Sequence, residues 1–175
     1  MSRFTILLGG DLTVTLRLRE QVAGTRIVAA DSGLRHAAAL DIVPELWVGD
    51  FDSTDPEWLD AYPGVERMLF DADKDQTDGE LAVGQALLRG ASSLLLAGAF
   101  GGPRPDHAFL HLSMALGLMD RGIGALLSSG GQEGVPLPHR ASTFDYAAGT
   151  MFSILAFSEL RGLSAAEQLE FFRQR

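Results

Sequence analysis

Glu45-Leu46-Trp47-Val48-Gly49-Asp50-Phe51-Asp52-Ser53 runs from a short apolar, strand-like segment straight into an acidic loop. The same order recurs over residues 65–70, which lead towards Lys74-Asp75-Gln76-Thr77-Asp78. In a parallel sheet covered by helices, loops that follow strands emerge at the carboxyl edge, where ligands bind. Carboxylates gathered at one edge repel one another. A hard cation such as Mg²⁺ relieves that repulsion, because it takes oxygen ligands and shares its shell with substrate phosphates. The stretch therefore predicts an α/β architecture and phosphate chemistry together.

Outward from it, short apolar runs alternate with longer amphipathic ones, the βαβ pattern of a parallel sheet with helices on its faces. Residues 4–8 run into Gly9-Gly10, residues 26–30 into Asp31-Ser32-Gly33, residues 93–97 into Gly98, and residues 125–128 close the sheet. Helices are expected over 34–40 and 55–61, over 77–88 behind the capping box Thr77-x-x-Glu80, and over 106–119, where Phe109, Leu112, Ala115, Leu116 and Met119 form an apolar stripe. At Ser129-Gly130-Gly131 the texture changes to turn residues and short alternating runs, 143–146 and 151–157, which read as antiparallel β. A second capping box opens a helical pattern over 164–172. The expected fold is a three-layer α/β nucleotide-binding domain on a parallel sheet over residues 1–130, followed by a small, truncated antiparallel β unit over 131–175.

The chain of 175 residues, 46% hydrophobic, is long enough to bury one core of ordinary size. A net charge of −9 argues against nucleic acid or an anionic membrane as the main partner. The absence of cysteine removes disulfides, thiolate metal sites and thiol nucleophiles. The apolar run after Arg3 is too short for a signal peptide, and no run approaches the roughly 18 residues of a membrane helix. These features predict a soluble, cytoplasmic protein.

Asp50 and Asp52, two residues apart, point the same way if the backbone is extended and suit a metal bridged to a phosphate; they also suit a solvated capping turn. Thr77 and Glu80 are explained by helix capping, whereas Lys74 and Asp75 are not, and a cation beside acids at a helix start can hold a phosphate with its metal. In Gly101-Gly102-Pro103-Arg104-Pro105-Asp106-His107, the glycines let backbone approach a ligand, Arg104 offers a planar fork, and Asp106 either caps the helix or holds Arg104. His107 reads as a structural hydrogen-bonder. Four such loops on one edge outweigh the capping reading of each. No Gly-x-x-x-x-Gly-Lys-Ser/Thr, Gly-x-Gly-x-x-Gly or Gly-x-Ser-x-Gly motif is present, so P-loop, dinucleotide-binding and serine-hydrolase chemistry are not indicated.

Ala30-Asp31-Ser32-Gly33, Val48-Gly49-Asp50-Phe51-Asp52-Ser53, Lys74-Asp75-Gln76-Thr77-Asp78 and Gly101-Gly102-Pro103-Arg104-Pro105-Asp106-His107, in this order, resemble the thiamine pyrophosphokinase family over about residues 4–163. The resemblance implies an amino-terminal ATP and Mg²⁺ domain, a carboxyl-terminal β-sandwich, and a homodimer that moves pyrophosphate from ATP to thiamine and releases AMP. It implies Asp50, Asp52 and Asp78 at the metal, Asp31 beside them, and Lys74, Asp75 and Thr77 along the ATP phosphates. Ser32, Gly33, Gly101 and Gly102 would line the nucleotide, with Arg104 and Asp106 orienting the transferred group. Any of Asp31, Asp50 or Asp75 can accept the proton. The family has Gly where Ser32 stands and lacks the proline before Arg104, and its thiamine-holding residues have no counterpart before Arg175. Two other readings therefore stand beside the first: a family member that binds nucleotide without turnover, and a pyrophosphokinase for another heterocyclic alcohol such as a hydroxymethylpterin. Open strand edges in the short β unit also favour pairing with a second copy.

Overall fold

The computed structural model describes residues 2–51, 54, 56–71, 75–138, 140–159, 161 and 164. Residues 1–137 form one unit and residues 138–175 a second.

The first unit is built on a seven-stranded sheet in the order β4-β3-β2-β1-β5-β6-β7. Its strands are β1 (Ser2–Leu7), β2 (Arg26–Ala30), β3 (Leu46–Gly49), β4 (Glu66–Leu69), β5 (Ala91–Ala97), β6 (Gly124–Ser128) and β7 (Glu133–Gly134). All neighbours are parallel except β6 and β7, which turn through residues 129–132 and pair Leu127 with Gly134. The α/β expectation holds. Antiparallel pairing enters here as an added edge strand, too short to show any periodicity in the sequence.

Alternation along the central strands sends side chains to opposite faces of the sheet. Phe4, Ile6 and Leu8 pack with Val28, Val48 and Leu96 beneath α4 (Asp78–Leu88) and α5 (Pro105–Asp120). Leu7, Ala29, Trp47, Leu95 and Ala97 pack on the other face with α1 (Leu16–Val22) and α2 (His36–Leu40). Each such fully buried large side chain contributes about 1.5–3 kcal/mol, which makes the two-sided packing of β1 and β5 the anchor of the sheet.

Helix α1 has no counterpart in the sequence reading. Thr15 caps it, accepting from Leu18 N at 3.1 Å, and only Leu18 and Val22 are buried, so two apolar positions four apart were the whole signal. A 3₁₀ turn, Asp31–Arg35, precedes α2, so the helix expected over 34–40 begins two residues late as α-helix. α3 (Pro56–Ala61) is found as expected and has no fully buried residue. In α5 the expected stripe holds in part, since Ala115 is buried and Leu112 packs against the core, but the buried face also carries His111 and Leu118, and Phe109 is 62% exposed. Apolar residues lie all around this helix, so spacing alone did not fix which side meets the sheet.

In the second unit, residues 143–146 and 151–157 carry no strand. Alternating sequence specifies a face, and it becomes a strand only where another strand pairs with it. Apart from Ser164, the helix expected over 164–172 lies outside the described residues.

Candidate active site

The sheet order reverses at β1, which is flanked by β2 on one side and β5 on the other. At such a switch point the loops leaving neighbouring strands form the ligand crevice of open α/β sheets. The loops after β1 and β5 are stitched together by Gly10 N to Gly98 O at 3.0 Å and Asp11 N to Phe100 O at 2.8 Å. Gly10 is required there, because a Cβ on it would stand 2.5 Å from Phe100 O. The next loop on the side of β2 carries Asp31.

Asp31 opens the 3₁₀ turn with φ of +43°, a left-handed conformation that costs a non-glycine residue about 1–2 kcal/mol. Trp47, wholly buried in β3, holds it by donating Nε1–H to Asp31 O at 2.9 Å. Phe51, also left-handed at φ +58°, sets its ring edge against Trp47 at 4.7 Å between centroids. Strain of this kind persists where packing over-determines it, and it clusters at functional loops. Asp31 also abuts the end of β3: a Cβ on Gly49 would stand 3.4 Å from Asp31 Cβ.

Burial pushes the Asp31 carboxyl above the usual carboxylate range, and the charges of Asp78 and Asp50 push it further. The backbone N–H and hydroxyl of Ser32 pull it back. The charges of two acids from separate loops thus reach Asp31 at this edge. Ser32 faces the loop after β1 as well, where a Cβ on Gly9 would stand 2.7 Å from Ser32 Oγ. Gly33 packs directly under the backbone of Leu7, so the whole turn is pressed onto the central strand.

The remaining acidic loop ends in the capping box expected from the sequence. Thr77 Oγ1 accepts from Glu80 N at 3.3 Å, and Glu80 Oε2 accepts from Thr77 N at 2.8 Å and Thr77 Oγ1 at 2.9 Å. Thr77's hydroxyl is thereby committed to the helix, and Asp78 follows as the first residue of α4. Asp75 is exposed; Asp52 and Lys74 lie outside the described residues.

Gly101 and Gly102, with φ of +70° and +78°, carry the exposed loop from β5 to α5. Arg104 occupies the N-cap position of α5 but makes no side-chain cap, while the Asp106 carboxyl lies against the backbone N–H groups of residues 106 and 107 in the first turn. Arg104 and Asp106 bind each other, Nε to Oδ1 at 3.0 Å and Nη2 to Oδ2 at 2.6 Å. That guanidinium holds the Asp106 carboxyl down to about 2, and no charge from the Asp31 group acts on it.

Sequence reasoning missed Trp47, Arg35, His36 and His111. His36 is buried beneath the switch point with Nε2 3.0 Å from Gly10 O, and His111 places Nδ1 3.0 Å from Ala99 O. Burial pushes both imidazoles below their usual value, so they sit neutral. Their places in helical patterns carried no sign of these loop contacts.

A divalent cation suits this edge by donor chemistry: the acids offer only oxygens, and their mutual repulsion at Asp31 is what a bound positive charge would relieve. Among the described residues no group of three or more His, Asp or Glu side chains is arranged to hold an ion alone. Mg²⁺ is commonly held by one or two carboxylates plus substrate phosphates, so the arrangement fits an ion that arrives with its nucleotide.

Residues 21–127, more than half of the chain, match the family described as thiamin pyrophosphokinase, catalytic domain. No curated protein matches by sequence. Among solved structures, the thiamine pyrophosphokinase of Bacillus subtilis superposes with a TM-score of 0.61 at 25% identity, covering 73% of this chain and 60% of that one. A thiamin pyrophosphokinase family protein of Enterococcus faecalis gives 0.59 at 28% identity, with 74% and 62% covered. The thiamin pyrophosphokinase of Geobacillus thermodenitrificans gives 0.59 at 28%, with 73% and 59% covered. The matched part of this chain thus spans about 60% of the length of these relatives.

Proposed function

Because this chain belongs to the thiamine pyrophosphokinase family, we propose that it transfers pyrophosphate from ATP to the hydroxyethyl group of thiamine, giving thiamine diphosphate and AMP. The observation that carries the proposal is the geometry of the switch point, where the loops after β1 and β5 are joined and Trp47 holds Asp31 left-handed at the carboxyl edge, with the charges of Asp50 and Asp78 reaching it.

In this reading Asp50 and Asp78, with Asp52, hold Mg²⁺, whose charge offsets that of the phosphate chain. Asp31 is the proton acceptor favoured over Asp50 and Asp75, since a carboxyl pushed upward by burial is the better base near neutral pH. The thiamine hydroxyl loses its proton to Asp31 as its oxygen attacks the β-phosphorus, and the bond from that phosphorus to the α-phosphate oxygen breaks to release AMP. Lys74 and Asp75 flank the phosphates, Ser32, Gly33, Gly101 and Gly102 line the nucleotide, and Thr77 acts through the helix it caps. Arg104, aligned by Asp106, orients the transferred group. The acceptor brings its own hydroxyl, so positioning and charge neutralisation carry the rate. A homodimer in the cytoplasm completes the proposal.

The test is AMP release by the purified chain with ATP, Mg²⁺ and either thiamine or a hydroxymethylpterin. AMP with thiamine alone supports the proposal, and AMP with the pterin alone replaces the acceptor. ATP binding without AMP leaves a nucleotide-binding protein. Asp50→Asn is expected to lower turnover at least about 100-fold with an unchanged circular dichroism spectrum; wild-type rates would remove Asp50 from the metal site.

A further inference from the structure

The acidic edge poses a charge problem that Lys74, assigned to the phosphates above, meets only in part. ATP brings several negative charges towards Asp31, Asp50 and Asp78, and a single divalent cation offsets only part of them. The charge of Arg104 is already offset by its ion pair with Asp106. A further cation with donors to spare is needed near the switch point.

Arg35 meets that description. It ends the same 3₁₀ turn that Asp31 begins, and its side chain is exposed. One nitrogen, Nη2, donates to both Gly9 O and Gly10 O, the latter at 2.9 Å, which fixes the guanidinium at the carboxyl end of β1. A guanidinium carries five N–H donors, so the Nε and Nη1 donors remain after these two bonds. Among the described residues it has no carboxylate within ion-pair distance. His36, its neighbour, is held neutral and so does not compete for an anion. Asp11 is the acid that shares this corner with His36, and it makes no ion pair with Arg35.

We infer that Arg35 is an anion-binding residue that takes a phosphate group of the nucleotide at the switch point, an assignment that rests on the pyrophosphokinase reading above. The carbonyls of Gly9 and Gly10 hold the guanidinium in place through Nη2 before the ligand arrives, and its positive charge with the remaining Nε and Nη1 donors is offered to phosphate oxygens. Pre-fixing the guanidinium lowers the ordering cost of binding.

Calorimetric titration of ATP, AMP and adenosine into the wild type, Arg35→Gln and Arg35→Lys, all in Mg²⁺, tests it. Arg35→Gln is expected to weaken ATP about tenfold or more while adenosine binds as in the wild type, and Arg35→Lys to recover only part of the loss. A purely structural role for Arg35 would weaken ATP and adenosine alike, and that result, or unchanged ATP affinity, overturns the assignment. ATP binding by the wild type without AMP formation overturns the pyrophosphokinase reading while the ATP-to-adenosine ratio still decides Arg35. A wild type that binds no ATP sinks both.

Discussion

The indole of Trp47 donates to the backbone carbonyl of Asp31 across adjacent strands, at 2.9 Å. A residue that is buried completely thereby dictates the conformation of one at the ligand edge. Trp47→Phe keeps a ring in the core but leaves the Asp31 carbonyl without this donor and opens a cavity. We expect a loss of about 2–4 kcal/mol in denaturant unfolding, together with a fall in turnover, because the left-handed Asp31 is no longer held. Full stability in this variant would show that the bond contributes nothing.

Gly33 separates steric from conformational cost. A Cβ at Gly33 would stand 2.6 Å from the carbonyl carbon of Leu7 and closer still to its oxygen, in the middle of the sheet. Gly24 has φ of +70° but nothing within 4 Å of a built Cβ. Gly33→Ala is expected to cost about 3 kcal/mol or more and Gly24→Ala about 1 kcal/mol, measured by thermal unfolding side by side. Equal losses would refute the contact between the turn and β1.

Acidification should act through His36 and His111. Burial lowers both folded values below the ordinary 6.5, so on acidification the unfolded chain takes up protons that the folded protein refuses. Their contribution to stability is complete above about pH 6.5 and is lost as pH falls towards the lowered folded values. His111→Gln is less stable overall, since the bond to Ala99 O changes, but its melting temperature should fall less steeply between about pH 7.5 and 5.5 than that of the wild type. An identical slope would mean that His111 titrates normally in the folded protein.

The order of loops at the carboxyl edge was legible because a strand running into a loop and then a helix leaves local marks, from the apolar run to the Thr77–Glu80 box. That these loops share one edge followed from parallel topology, whereas the placing of Asp31 beside Asp50 and Asp78 came from the family resemblance. What was not legible depends on contacts between distant residues. The left-handed Asp31 depends on an indole 16 residues away, and the Arg104–Asp106 pair on a choice between capping a helix and holding a cation that both residue types permit. The strands expected over 143–146 and 151–157 failed for the same reason, since alternation specifies a face but not a neighbour.

The Arg104–Asp106 pair allows a test in which stability and activity part company. Both side chains are exposed, so the pair adds little to folding, and Asp106 is held at about 2, so any stability it gives is present above the ordinary carboxylate value and lost only as pH falls through about 2. Between about pH 5 and 9 the pair therefore stays fully charged and contributes no pH dependence. Asp106→Asn is expected to leave the melting temperature unchanged and to lower kcat/KM for ATP about tenfold without moving the pH profile, because the guanidinium loses its alignment rather than its charge. Arg104→Lys should fall further, having lost the fork as well. If Asp106→Asn destabilises the fold while sparing kcat/KM, the pair belongs to the architecture of α5 and not to the reaction.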